Sequence, residues 1–337
     1  PLHIPMVDIH TIGAGGGSIA RVDESGLLNV GPESAGADPG PIAYGRGGLA
    51  PTVTDANVLL GRIDPSAITG RRGVERDVIE ARFRELIGEP LGLDVVDAAA
   101  AVLAVANNEM ANASRMVSVE QGHDPREFVL FAFGGGGPLH AAEIARELGI
   151  PTVLVPRYPG ITSAIGCVLA DVRHNYVRSV HQPLAEVDPQ RMDAILREHE
   201  AAGRALIAEQ GVAVTDVEVT HTAELLYRGQ SHEFRVPIPD GPVDLDLIRR
   251  DFAALYRTRF DIELPEMVPM LVNLRSEVTG YRNVDLSALD AAANSGETTT
   301  PTRRRQVWFA GSWFETPVVS REQLVPGSTH IGPLIVE

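Results

Sequence analysis

The residues best suited to chemistry lie at the start of the chain, in Asp8-Ile9-His10-Thr11-Ile12-Gly13-Ala14-Gly15-Gly16-Gly17-Ser18-Ile19-Ala20. Glycine at 13, 15, 16 and 17 lets backbone N–H groups approach an anion with no Cβ in the way. Ser18 closes that turn with a hydroxyl. Asp8 is a hard oxygen ligand that could hold a divalent cation beside the anion. His10 follows Asp8 by two residues, so on a strand both point to one face; this imidazole could contact a phosphate, act as an acid or base, or simply bond to the hairpin. A phosphate-plus-metal site and a glycine hairpin that merely turns the chain both fit this pattern. A Walker loop does not, because the Gly-Lys-Ser/Thr ending is missing; all 29 basic residues are Arg.

A second glycine cluster, Gly134-Gly135-Gly136-Gly137-Pro138-Leu139-His140, follows the apolar run Phe128 to Phe133. A strand, a glycine turn and a helix over Ala141 to Leu148 would aim N–H groups and a positive helix end at a ligand. Pro138 suits a first helical turn. The GxGxxG spacing of a dinucleotide fold is absent. His140 reads as structural, with reach to a ligand left open. His123-Asp124 reads as a turn with an Asp cap. His3, His10 and His140 lack the fixed spacing of a zinc site.

These residues need elements to hold them. Ile4 to Ile9 reads as a strand and Ser18 to Val22 as its returning partner. Residues 25 to 53 are so dense in Gly and Pro that no regular element is expected, and an ordered, functional loop is. Its only acids after the start are Glu33 and Asp38. Thr54 is the expected cap of a short helix at 54–57. Helical spacing recurs over 74–87 and over an Ala-rich stretch, 94–119, whose polar band (Asn107, Asn108, Glu109, Asn112, Ser114, Arg115) faces either solvent or a site. Ile150 to Val155 reads as a strand and Ser163 to Ala170 as a helix. This β-α-β-α alternation predicts an α/β domain.

Past Asp171 the pattern changes to strands at 172–180, 217–227, 232–238 and 271–281, with helices at 191–210 and 245–260, an α+β module with antiparallel pairing. Residues 285–304 read as a linker. Short strands at 306–309, 314–319 and 334–336 then close a β module. The expected domains are 1–180, 181–284 and 285–337.

Composition bounds the rest. A net charge of −16 argues against nucleic acid and anionic membranes as partners. A single cysteine, Cys167, allows no internal disulfide and fits a reducing, cytoplasmic compartment. No apolar run reaches the ~18 residues that span a bilayer. The start at Pro1 and the apolar end at Ile335-Val336-Glu337 read as a fragment of a longer polypeptide.

Several strings together resemble the hydantoinase A / 5-oxoprolinase family: 8–20, 31–48, Pro51-Thr52-Val53-Thr54-Asp55-Ala56-Asn57, Gly122-His123-Asp124-Pro125-Arg126, 133–141, 163–171, Tyr227-Arg228-Gly229-Gln230 and 332–337. The resemblance implies an α/β actin and sugar-kinase type ATPase fold, here one lobe followed by the α+β module. It implies ATP-driven cleavage of a cyclic amide, or a related ketone carboxylase or a nucleotide-binding scaffold without turnover. It gives Asp8 the Mg²⁺ or Mn²⁺ and a catalytic role, Gly13, Gly15, Gly16, Gly17 and Ser18 the β/γ-phosphates, and Gly134, Gly135, Gly136 and Gly137 the adenosine; a catalytic role for His10 rests on its spacing from Asp8. The family's first phosphate hairpin belongs to a preceding N-terminal lobe that is not in this sequence. A hydantoinase B-type subunit is the implied partner. Ala43 stands where many relatives are expected to carry cysteine.

Overall fold

The computed structural model describes residues 9–66, 74–285 and 303–337. Asp8, His3 and the expected strand at 4–9 lie almost wholly outside the described residues, as does most of the 285–304 linker. The described residues divide into two compact units, 9–164 with 303–337, and 165–285. The unit boundaries lie at 164 and 285, beside the expected 180 and 284, and the C-terminal β segment groups with the first unit.

In the first unit, β1 (Ser18–Val22) pairs antiparallel with β2 (Leu28–Ser34). The turn between them is closed by Asp23, whose Oδ1 accepts from Ser25 N and Leu27 N, and by Gly26 at φ +79°. This is Asx-turn chemistry. Among the described residues the strand that pairs with β1 is β2, and 9–17 carry no strand; the expected partner at 4–9 lies almost wholly outside them. β2 does correct the reading of 25–53, where a regular element survives: among the described residues it pairs with β1 alone, and a missing N–H at Pro32 costs little on the other edge.

Pro51 and Thr52 run beside β1, with Ala20 N bonded to Pro51 O at 2.8 Å. Helix α1 (Val53–Leu59) follows, and all seven of its residues are buried. Its cap is Thr52, in a reciprocal capping box with Asp55. The expected cap Thr54 is the second residue of the helix, two positions past the cap. Helix α2 (Arg76–Phe83) continues into a π turn over 84–88. Helix α3 (Val95–Met116), capped by Asp94, packs its small residues Ala98, Ala99, Val102, Leu103 and Ala106 into the core with Leu59, Leu60, Ile79 and Phe83. Small side chains let helices approach closely; at ~25 cal/mol per Å² of apolar area this burial is the main stabilising term.

Strand β3 (Val129–Phe131), helix α4 (Gly137–Leu148) and strand β4 (Thr152–Leu154) form a parallel βαβ unit, followed by helix α5 (Thr162–Leu169). The β-α-β-α alternation is therefore present. The C-terminal β9 (Arg303–Phe309) and β10 (Ser312–Val319) form a hairpin, with β11 (Ile335–Val336) parallel to β10. The hairpin docks on α1, with Trp308 N donating to Leu60 O at 2.9 Å.

The second unit is an antiparallel sheet ordered β5-β8-β6-β7, from β5 (Val172–Pro183), β6 (Asp216–Tyr227), β7 (Phe234–Ile238) and β8 (Pro269–Tyr281). Helices α6 (Pro189–Glu209) and α7 (Leu245–Phe260) supply Met192, Leu196, Ile248 and Phe252 to its core. A Cβ on Gly203 would strike the Val278 side chain, so glycine sets how closely α6 approaches β8.

Candidate functional site

The first glycine turn is built by its neighbours. Gly15 N donates to Ser18 Oγ at 2.9 Å, Ser18 N donates to Gly15 O at 3.0 Å, and Ser18 Oγ donates to Gly13 O. Ser18 is buried, and its hydroxyl is spent inside the turn. Gly16 O accepts from Thr54 N and from Thr54 Oγ1, both at 2.8 Å. Gly17 O accepts from Ala35 N at 2.9 Å. Three glycines are there for close packing: a Cβ would meet Pro32 Cβ at 2.6 Å from Gly13, Thr54 Oγ1 at 2.9 Å from Gly16, and Ser34 Oγ at 2.7 Å from Gly17. Gly15 alone of these faces open space. Among the described residues the N–H groups of Gly16 and Gly17 meet no acceptor, the condition for an anion cradle.

Behind the turn stands Asp55, fully buried. Its carboxylate accepts from Ile42 N (3.3 Å), Ala43 N (2.7 Å), Thr52 N (3.0 Å) and Thr52 Oγ1 (2.7 Å). It thereby ties the 42–44 loop to the start of α1. Burial pushes the Asp55 carboxyl above its ordinary value, against the pull of Thr52 and the backbone donors. The Thr52-x-x-Asp55 spacing of a capping box was the sequence signal for this role, and placing the cap at Thr54 hid it.

The second glycine turn joins β3 to α4. Gly134, at φ +83°, donates its N–H to Pro159 O at 2.7 Å. At Gly134, Gly135, Gly136 and Gly137 a Cβ would meet nothing within 4 Å. Among the described residues the N–H groups of Gly135, Gly136 and Gly137 meet no acceptor, as the first turn of a helix requires. Pro138 adds no further donor. These open positions on a twelve-residue helix fit a group that lies against backbone.

His140 sits one turn into α4, buried, with Nδ1 2.7 Å from Asn107 Oδ1 of α3. A carboxamide oxygen only accepts, so Nδ1 carries the proton. Burial, with the nearby Arg62 charge second, lowers its pKa to about 4. His140 is thus a neutral latch between helices. Asn107 turns inward to it, whereas Asn108, Glu109 and Asn112 face solvent.

His10 is exposed and lies outside any strand, so the strand periodicity that would aim it beside Asp8 does not apply. Among the described residues no group of three or more His, Cys, Asp or Glu is arranged to hold a metal, and no helix is long and apolar enough to cross a membrane.

A family model described as hydantoinase/oxoprolinase matches residues 1–176. The chain is 33% identical to the caprolactamase subunit alpha of Pseudomonas jessenii over 99% of its own length and 49% of that protein. It is 33% identical to the acetophenone carboxylase gamma subunit of Aromatoleum aromaticum, over all of this chain and 48% of that one. Identity to the 5-oxoprolinase PfmaA of Pestalotiopsis fici is also 33%, over 99% of this chain and 27% of that protein. The chain therefore spans about half or less of the curated relatives it matches. The crystal structure of ATP-dependent caprolactamase from P. jessenii superposes with a TM-score of 0.77 at 31% identity, covering 99% of this chain and 50% of that one.

Proposed function

Because the chain belongs to the hydantoinase/oxoprolinase family, we propose that it is the ATP-binding portion of an ATP-dependent hydrolase of small cyclic amides of the hydantoin or 5-oxoproline type. The observation that carries this reading is the open backbone of Gly15 and Gly134–Gly137 within one compact unit. The caprolactamase and 5-oxoprolinase likenesses support the substrate class.

An amide is resonance-stabilised, and water attacks it slowly. Bound ATP would supply the phosphoryl group that turns the amide oxygen into a leaving group. The protein's part is positioning and charge neutralisation. The N–H groups of Gly16 and Gly17 would meet the β/γ-phosphates, with Gly13 and Ser18 shaping the turn and Gly15 leaving it open. Gly134, Gly135, Gly136 and Gly137 would receive the adenosine side. Asp8 would hold Mg²⁺ or Mn²⁺, and His10, free and exposed, would serve as an acid/base or phosphate contact. Residues 1–180 would be one lobe of an actin and sugar-kinase type ATPase, 181–284 its α+β module and 285–337 its β module. The other lobe would come from the remainder of a longer polypeptide, and a hydantoinase B-type subunit would join it in the cytoplasm.

ATP turnover by the full-length protein with its partner subunit tests this. Hydantoin, 5-oxoproline or caprolactam should stimulate ATP hydrolysis. Likeness to the acetophenone carboxylase gamma subunit favours a second reading, in which a ketone plus bicarbonate does so instead. Stimulation by neither class would leave only a nucleotide-binding scaffold. Asp8→Ala should abolish turnover with the fold intact; turnover that survives would remove Asp8 from the metal site.

A further inference from the structure

Helix α1 is gripped at both ends. At its start, Thr54 gives two hydrogen bonds to one acceptor, Gly16 O, at 2.8 Å each. At its end, Leu60 O accepts from Trp308 N, and Arg62 N donates to Asn57 O at 2.8 Å. The Arg62 side chain stands over the Phe309 ring, 5.4 Å from its centroid, and reaches within 3.9 Å of Glu143 on α4. Seven helical residues at 1.5 Å each make a rod of about 10 Å. One end of that rod therefore holds the first glycine turn, and the other touches the helix that carries the second.

The geometry points to Thr54 as a positioning residue that aims the Gly17 N–H at the nucleotide phosphates, with α1 as the strut behind it. A trans peptide is planar, and its C=O and N–H point in opposite directions. Gly16 C=O and Gly17 N–H share one such plane. Two donors from Thr54 fix the carbonyl toward α1, so the Gly17 N–H is turned away from α1, where it meets no acceptor among the described residues. The absence of a Cβ at Gly16, which would lie 2.9 Å from Thr54 Oγ1, is what lets the clamp close. Asp55 and Thr52 hold the strut's first turn in place from the other side. This role rests on the nucleotide reading of the glycine turn, and the experiment separates the two.

In the full-length protein, the Kd of a non-hydrolysable ATP analogue and the KM values for ATP and for the cyclic amide are measured for Thr54→Val, Thr54→Ser and Gly15→Val. Val is close to Thr in shape but cannot donate; Ser keeps the hydroxyl. Thr54→Val is expected to weaken analogue binding and raise the ATP KM about three- to tenfold, the range for one hydrogen bond. The amide KM and thermal midpoint should stay near wild type, and Thr54→Ser should restore binding. Normal analogue binding in Thr54→Val while Gly15→Val binds weakly overturns the positioning role and spares the nucleotide site. Normal binding in both variants overturns the nucleotide reading as well. Thr54→Ala, which adds no bulk, gives the same readout where valine disturbs packing.

Discussion

Two glycine turns stand in the first unit, at 13–17 and 134–137, and they use the same residue for opposite reasons. In the first, glycine is demanded by the protein itself: Pro32, Thr54 and Ser34 occupy the space that a side chain would need at Gly13, Gly16 and Gly17. In the second, no atom from elsewhere in the described chain comes within 4 Å of where those Cβ atoms would be. Packing therefore explains most of the first run, and its glycines say little about a ligand by themselves. Gly134 is required by its left-handed backbone, but Gly135, Gly136 and Gly137 have no internal packing reason to be glycine, so they are the stronger argument for something that lies against backbone. The supports differ too. A buried carboxylate with four donors secures the first turn, and a neutral imidazole latch secures the second.

The largest effect that would break this contrast is at Asp55. Asp55→Ala leaves Ile42 N, Ala43 N and the Thr52 hydroxyl without their acceptor, and should cost about 3 kcal/mol or more of unfolding free energy. Urea denaturation checks it; a loss under 1 kcal/mol would mean that water replaces the carboxylate and that the first turn needs no latch.

The second turn's latch responds to pH. His140 is held at a pKa of about 4, against 6.5 unperturbed. The unfolded chain takes the proton first, so the stability His140 confers is complete above pH 6.5 and is lost as pH falls toward 4. At 1.36 kcal/mol per pKa unit this amounts to about 3 kcal/mol. Denaturation at pH 7, 5.5 and 4 should show a steeper decline for wild type than for His140→Gln, which keeps a donor for Asn107. Parallel declines would remove the buried imidazole from the account.

The glycine pair sharpens the comparison at smaller scale. Gly16→Val should destabilise by about 1–3 kcal/mol, because it forces a side chain onto Thr54. Gly135→Val should leave stability within about 0.5 kcal/mol, as an open surface site does, while weakening ATP analogue binding about tenfold. Equal stability losses in the two variants would erase the distinction between a packed and an open turn.

Much of the fold was legible because hydrophobic periodicity is local. Helix α7 falls on the expected 245–260, and β6, β7 and β8 lie within a few residues of their expected positions. The strand missed was β2, where Gly31 and Pro32 break the pattern that a hairpin partner nevertheless sustains. The site was legible as two glycine runs and no further. Thr54, Asp55 and Asn107 act through partners 12 to 38 positions away, and no local pattern carries those pairings; only the Thr52–Asp55 capping box has a local spacing.

By itself, then, the sequence determined which segments bend freely, which are apolar enough to be buried, and which family the chain resembles. These depend on residue type and short spacing alone. Tertiary structure decided which glycines are filled by the protein and which stand open, that Thr52 with Asp55 caps α1 while Thr54 grips the glycine turn, and that the last strands return to the first unit. Each of those depends on contacts between distant segments, set by how the whole chain packs.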